Sequence, residues 1–276
     1  VVGFDTKRGA RVVHELFAPD AGGRAADPEA AGHSVVVGFG DGVAVVEPPD
    51  GDGVGAAVAT QRRKHAGRGL LEEIGAPYEL KVYKRDAETR LAPAEYKALS
   101  PLGTAPVITD ENGLVLAESN AVIDYILDMH PESPLRPAPG EAARVDYLFW
   151  FHAGVGSLMP MQFFNGLLTM MKARSPALVR SVIGIATDKV REMLVAPRLK
   201  VLFDKLESDL GRNTWLAGDH LTAADISMCY SIASADAQGR LKDRPNCQRW
   251  MEQMRGTPSF QRAMEKDGRD TFVFSF

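Results

Sequence analysis

The chain has 276 residues, enough for about two domains, and its 45% hydrophobic and 25% charged residues are typical of a globular protein. Its 32 basic and 36 acidic side chains leave a net charge of −4, which argues against a basic nucleic-acid binder, and no apolar run reaches the ~18 residues of a membrane-spanning helix. Two cysteines are too few for a disulfide framework, and the six histidines show no metal-ligand spacing, so we expect no metal, no nucleic acid and no membrane as partners.

The first 60 residues differ in composition from the rest of the chain. They hold 11 of the 26 glycines and no methionine, tryptophan or tyrosine. Two apolar segments, Ser34–Phe39 and Val43–Glu47, could form strands, but glycine and aspartate interrupt the region. We predict a poorly ordered extension over residues 1–53, with a small β-hairpin as the alternative.

From residue 54 the pattern predicts a small mixed sheet with helices on its faces. One helix ends at Ile74, because Gly75 supplies the usual left-handed stop, and a second long helix begins at Ser119. The Asn112-Gly113 pair predicts a hairpin between two strands. The remaining elements are a short helix at Pro93–Leu99 and four strands, at Val54–Thr60, Tyr78–Tyr83, Pro106–Thr109 and Leu114–Ala117. Four apolar residues are expected to form the buried face of the second helix: Val122, Ile123, Ile126 and Met129.

After a proline-rich linker at 131–139, only helical spacing remains, which predicts an all-α second domain over 140–268. The first helix, Glu141–Leu158, carries four residues at helical spacing: Val145, Leu148, Phe149 and His152. Pro160 is expected to kink or break the next helix, and Pro197 to separate helical pieces at Leu178–Leu194 and Arg198–Leu210. Thr222 and Asp225 have the spacing of a helix-capping pair, with Leu221 and Ile226 placed as a hydrophobic staple.

Glu118 and Ser119 are the sharpest candidate site. They stand where a strand ends and a helix begins, and the free N–H groups of a helix N-terminus suit a carboxylate. Glu118 could accept a protonated amine, so the pair would suit an α-amino acid head group. The alternative is that Ser119 only caps its helix and Glu118 is a solvated turn residue.

A second candidate lies at Thr104–Val107, where a proline opens a strand. A cis bond before Pro106 would turn the backbone of Ala105 outward, where it could pair with an extended peptide. The alternative is a trans proline that begins an edge strand.

Taken together, these segments resemble the glutathione-binding half of glutathione transferases. The resemblance rests on Pro101–Val107 (PLGTAPV) and Leu116–Tyr125 (LAESNAVIDY). Tyr83–Asp86, Thr89–Pro93 and Gly156–Pro160 are similar to the fungal and bacterial branch related to nitrogen-regulator-like transferases. Leu216–Ile226 is similar to the capping motif of the family's helical domain, so the resemblance spans roughly residues 54–268.

The resemblance implies a thioredoxin-like α/β domain over 54–130, followed by the all-α domain. Glu118 and Ser119 would hold the γ-glutamyl group of glutathione, while Thr104, Ala105 and Pro106 would meet its cysteinyl part. Both alternatives given above for these segments are then disfavoured. The electrophile would bind between the domains, near Phe149, His152 and Phe163, although a core or surface role is the simpler interpretation of each.

The loop that carries the family's catalytic hydroxyl is not recognisable. Counted back from Leu70, it falls on residues 61–66, where Arg62 and Lys64 occupy the expected hydroxyl positions. A free thiol is only a few per cent thiolate at neutral pH, so a transferase needs a donor or a positive charge near the sulfur. The catalytic group is therefore unknown; Arg62 or Lys64 is one hypothesis, an exposed basic turn is another, and a non-native start over 1–66 is a third.

Three functions follow from the resemblance. The first is a cytoplasmic, homodimeric glutathione transferase that conjugates the thiolate to small hydrophobic electrophiles in detoxification, with glutathione as co-substrate and no cofactor. The second is a non-catalytic glutathione-binding or regulatory protein of the same fold. The third is a glutathione-dependent peroxidase.

Overall fold

The structure is a computed structural model that describes the strands at 43–46 and 55–60 and residues 66–76, 78–84, 92–100, 102, 106–109 and 113–267. All of these residues belong to one compact unit, 32–276. Within the described ranges, no helix is both long and apolar enough to cross a membrane.

Five strands form one sheet in the order β1-β3-β2-β4-β5. Strands β2 and β3 are parallel and are joined through helix α1, whereas β1, β4 and β5 pair antiparallel with their neighbours. The strands are β1 (Val43–Val46), β2 (Gly55–Thr60), β3 (Glu79–Lys84), β4 (Val107–Thr109) and β5 (Val115–Ala117). The four predicted strands are confirmed within one residue at each end.

The strand candidate at Val43–Glu47 is found as β1, so this part of the predicted 1–53 extension joins the sheet. The other candidate, Ser34–Phe39, lies outside the described residues. The domain limits at 53, 54–130 and 140–268 stay predictions.

Three helices accompany the sheet: α1 (Ala66–Ile74), α2 (Ala94–Leu99) and α3 (Ser119–Met129). As predicted, α1 ends at Gly75, which has a φ of 73°. On α3, Val122, Ile123 and Ile126 are buried, but Met129 is 38% exposed. The predicted face was wrong at this position: Leu127, not Met129, completes it, because the final residue of the helix turns away from the core.

The rest of the chain is helical, with α4 (Arg144–Ala153), α5 (Met159–Arg174), α6 (Arg180–Val190), α7 (Ala196–Arg212), α8 (Ala223–Ala237), α9 (Pro245–Gly256) and α10 (Pro258–Asp267). Two π-helical segments, Gly154–Leu158 and Arg191–Val195, precede α5 and α7. In each case a proline, Pro160 or Pro197, lies in the first turn after the wide segment. Proline lacks an N–H and clashes with the carbonyl four residues earlier, so each expected break is found as a π-helical segment just before the proline.

Helix α8 lies at the centre of the helical domain, because every side chain from Ala223 to Ala235 is buried. Its N-terminus has the predicted capping box between Thr222 and Asp225. Ile226 is buried in the main hydrophobic core, and Leu221 packs against that core. Trp250 of α9 donates from its ring nitrogen to Asp225, which ties the cap to the next helix at 2.8 Å.

Helix α10 fastens the end of the described chain to the first domain. The Arg262 guanidinium donates to the carboxylate of Glu72 on α1 at 2.9 Å and to its carbonyl oxygen at 2.7 Å. Glu72 is buried and also accepts the Tyr78 hydroxyl at 2.5 Å. These bonds hold the sheet's first helix, α1, against the helical domain.

Candidate functional site

The two predicted glutathione-binding segments meet at one edge of the sheet. Val107 of β4 pairs with Ala117 of β5, so the residues just outside this pair, Pro106 and Glu118, are neighbours across the ladder. Val107 also pairs with Ala57 of β2, which runs antiparallel to β4 and ends at Thr60 on the same edge. The end of β2, the start of β4 and the end of β5 therefore converge where α3 begins.

Glu118 occupies a strained backbone position at this edge. Its φ of 75° and ψ of 123° place it in a region that residues with a side chain rarely adopt, and it is the one non-glycine residue with positive φ in the described part of the chain. Its side chain is exposed, and it makes no side-chain cap on α3. Such strain costs about 1–3 kcal/mol and points to a functional requirement at this position.

Ser119 is the first residue of α3, as predicted, and it is 4% exposed. The cap position belongs to Glu118, so Ser119 does not cap the helix in the way that the simpler interpretation supposed. The first backbone N–H groups of α3 have no partner within the helix and carry its positive dipole end. A carboxylate at this edge would meet those groups, with the Glu118 carboxylate beside it for an amine.

Asn120, which the sequence did not single out, connects this edge to the helical domain. Its side-chain nitrogen donates to the carbonyl oxygen of Phe151 on α4 at 2.5 Å, and its oxygen accepts the Ser227 hydroxyl of α8 at 3.0 Å. Asn120 thus fixes the start of α3 against both helices. Its place directly after the Glu-Ser pair is the signal that could have identified it.

We expect Asn120→Ala to lower the free energy of unfolding by about 2 kcal/mol, because it leaves a carbonyl and a hydroxyl without their partner at a domain junction. Urea unfolding measures this loss. Asn246→Ala, which removes one 3.3 Å bond within the helical domain, is the control and should cost less. Equal losses in the two variants would contradict the bridging role.

The helix predicted at Glu141–Leu158 was wrong in its start. It begins at Arg144, and it buries Tyr147, Trp150 and Phe151. The Trp150 ring nitrogen donates to the buried carboxylate of Asp209 at 3.0 Å, which anchors α4 to α7. The predicted positions therefore face outward, with Val145 74%, Leu148 38% and Phe149 39% exposed, and His152 exposed as well.

The three candidate electrophile contacts differ in their surroundings. His152 follows the Asn120-bound Phe151. Burial raises the pKa of the nearby Asp124 carboxyl on α3, and the charges of Arg136 and, to a smaller extent, His152 lower it in part. Phe149 packs edge-on against Trp150 and lies under the Lys205 ammonium, 4.6 Å from its ring centre, on the α7 side. Phe163 of α5 is 55% exposed. Of these, His152 is tied most directly to the start of α3.

Several predicted residues lie outside the described ranges. These are Thr104 and Ala105 before β4, and Arg62 and Lys64 after β2. Pro106 is described and is buried. The roles predicted for all of these residues stay predictions.

The cysteines do not supply a reactive thiol. Cys229 and Cys247 are free and buried, and burial raises the pKa of Cys229 to about 12. Cys229 is a small residue of the core, 2% exposed on α8. In the described ranges, no group of three or more histidine, cysteine, aspartate or glutamate side chains could hold a metal ion.

Comparison with known proteins agrees with the resemblance that the sequence shows to glutathione transferases. A family model of the glutathione S-transferase N-terminal domain matches residues 65–129, and one of the C-terminal domain matches residues 184–267. The chain is 30% identical over 200 residues to glutathione S-transferase 3 of Schizosaccharomyces pombe, which covers 71% of this chain and 81% of the relative. It is 27% identical over 208 residues to glutathione S-transferase 1 of Saccharomyces cerevisiae, covering 71% and 88%.

Solved structures of glutathione S-transferases are similar to this chain as well. A glutathione S-transferase from Actinobacillus pleuropneumoniae matches with a TM-score of 0.58 and 31% identity, over 75% of this chain and 89% of that one. A sphingomonad glutathione S-transferase complexed with glutathione matches at 22% identity with a TM-score of 0.56, over 74% and 93%, and supports the fold alone. With a thioredoxin-like sheet domain, a helical domain and a relative at 30% identity over most of its length, the chain belongs to the glutathione S-transferase family.

Proposed function

We propose that this protein is a glutathione transferase that conjugates the glutathione thiolate to small hydrophobic electrophiles. Family membership supports the activity, and the strained, exposed Glu118 between β5 and α3 is the observation that carries it for this chain. A residue held at a costly φ beside a helix N-terminus is hard to explain by folding alone. A binding role for its carboxylate explains it.

The proposed glutathione contacts follow from the residues that lie at the sheet edge where β4 begins, β5 ends and α3 starts. The protonated amine of the γ-glutamyl group would bind the Glu118 carboxylate, and its carboxylate would bind the Ser119 hydroxyl and the first N–H groups of α3. Pro106 is the cross-strand neighbour of Glu118, so Thr104, Ala105 and Pro106 would present backbone groups to the cysteinyl part. The tripeptide would then lie along the converging strand ends.

The thiol would be activated from the segment that follows β2. Strand β2 ends at Thr60 on the same edge, and Arg62 and Lys64 come directly after it. A positive charge there would favour the thiolate over the thiol. The sulfur would attack the electrophilic carbon of an aryl halide, a carbon–sulfur bond would form, and the halide would leave with its electron pair while the thiol proton passes to solvent.

The electrophile would bind beside His152, with Phe149 and Phe163 as further apolar contacts. In the proposed homodimer, the partner would cover the exposed side of α4, where Val145 is 74% and Leu148 38% exposed. A cytoplasmic location and a role in detoxification follow from the proposed reaction and the family.

The direct test is conjugation of 1-chloro-2,4-dinitrobenzene, followed by absorbance at increasing glutathione concentrations. We expect saturable turnover, and an Arg62→Ala, Lys64→Ala double variant should lower kcat by about tenfold while KM for glutathione changes little. A double variant with unchanged kcat would contradict the role of the basic pair. Glutathione binding without any turnover would contradict the transferase assignment.

A further inference from the structure

A basic groove of about 460 Å³ lies in the helical domain between α5, α7 and the loop that follows α8. Leu199 and Phe203 of α7 form its apolar floor, and Asn165 and Thr169 of α5 line one side. None of these residues belongs to the proposed glutathione site. A groove of this volume accommodates a small organic molecule.

Four basic side chains surround the groove: Arg191, Lys200, Arg240 and Arg244. Lys200 and Arg244 share the carboxylate of Asp204, at 2.5 and 2.9 Å. Two cations on one carboxylate leave a net positive charge on this side of the groove. The Arg244 guanidinium also lies 5.6 Å from the centre of the Phe203 ring, so charge and aromatic surface adjoin.

A second pair of cations that shares one carboxylate includes Arg191, which also lines the groove. Arg191 pairs with Asp188 at 2.5 Å, and the same carboxylate accepts Lys172 at 2.6 Å. Arg191 also donates to the side chains of Asn165 and Thr169, both at 3.1 Å, which hold its guanidinium against α5. Two cations again share one anion.

Arg240 has no carboxylate partner among the residues that the structure describes. Its side-chain donation goes to the Gln238 amide oxygen at 2.9 Å. Burial, and after it the charge of Arg191, lower the pKa of Arg240. Arg240 and Arg191 both line the groove, and its four basic side chains together with the two carboxylates that pair with them, Asp188 and Asp204, leave a net charge of about +2.

We propose that this groove binds a phosphate monoester with an aromatic body. The phosphate would lie between Arg240 and Arg191, because guanidinium groups bind phosphate oxygens in a planar, two-point geometry. Its charge of about −1.5 to −2 at neutral pH offsets most of the excess positive charge. The ring would lie on the floor formed by Leu199 and Phe203.

Calorimetry with phenyl phosphate tests the proposal, with S-methylglutathione present in excess so that the glutathione site is filled. Inorganic phosphate and phenol are the two half-ligands. We expect saturable binding of phenyl phosphate, weaker binding of inorganic phosphate and no detectable binding of phenol. Affinity should fall as sodium chloride is added.

Arg240→Gln is expected to weaken phenyl phosphate binding at least about tenfold, because it removes the unpaired charge. Arg198→Gln is the matched control, since it makes the same charge change on α7, where Arg198 donates to the Leu194 carbonyl oxygen and does not line the groove. It should bind as the parent does. Should Arg240→Gln fail to fold, Lys200→Gln replaces it, because this side chain is 73% exposed and can change without loss of packing.

Three results would overturn the proposal. The first is no saturable binding of phenyl phosphate to the folded protein. The second is equal weakening by Arg240→Gln and Arg198→Gln, which would indicate attraction to the general surface charge. The third is equal affinity for phenyl phosphate and inorganic phosphate, which would show that the apolar floor takes no part.

Discussion

Replacing Asp225 by alanine is expected to lower the free energy of unfolding by about 4 kcal/mol. Asp225 is fully buried at the start of α8. Its carboxylate accepts the Leu216 and Thr222 backbone N–H groups and the Thr222 hydroxyl at 2.9 Å, and the Trp250 ring nitrogen at 2.8 Å. The substitution leaves all four donors buried without their acceptor.

Urea unfolding of two further variants separates this cap from a general effect of removing charge. Asp236→Ala, on the same helix, breaks only an exposed pair with Arg255 and should cost under about 1 kcal/mol. Asp225→Asn keeps the shape and one acceptor oxygen, so its loss should lie between the other two. An Asp225→Ala protein as stable as Asp236→Ala would show that the cap does not hold α8.

The second large effect is expected at Glu118, where activity and stability should change in opposite directions. Glu118→Gly removes the carboxylate and also relieves the backbone strain, since glycine adopts positive φ freely. We expect its free energy of unfolding to rise by about 1 kcal/mol. Its kcat/KM for glutathione should fall about 100-fold, because the γ-glutamyl amine loses its charged partner.

Glu118→Ala completes the comparison, because it removes the carboxylate but retains the strain. It should lose activity to the same extent without becoming more stable. Thermal unfolding and the aryl halide assay on both variants measure the two effects. If Glu118→Gly were less stable than Glu118→Ala, the strain at this position would be contradicted.

The sequence predicts local features of this fold well, because they depend on nearby residues. Gly75 ends α1, Pro160 and Pro197 mark the breaks before α5 and α7, and Thr222 with Asp225 caps α8. Each depends on a backbone preference or a hydrogen bond within a few residues.

Features that depend on distant parts of the chain were missed. The apolar spacing of Val145, Leu148 and Phe149 predicts a helix here, but the buried side of α4 is the one whose Trp150 reaches Asp209, 59 residues away. Spacing alone cannot show which of two apolar faces finds a partner. Asn120 was overlooked for the same reason, because its partners Phe151 and Ser227 become neighbours only in the folded chain.

The most direct test of the account is a calorimetric titration of the purified chain with glutathione, beside Glu118→Ala and a control, Glu132→Ala, whose side chain is 73% exposed. We predict saturable binding that Glu118→Ala abolishes and Glu132→Ala leaves unchanged. That result would show that the edge formed by β4, β5 and α3 holds the amino acid head group. Absence of binding in a folded protein, or equal binding by Glu118→Ala, would contradict the proposed site.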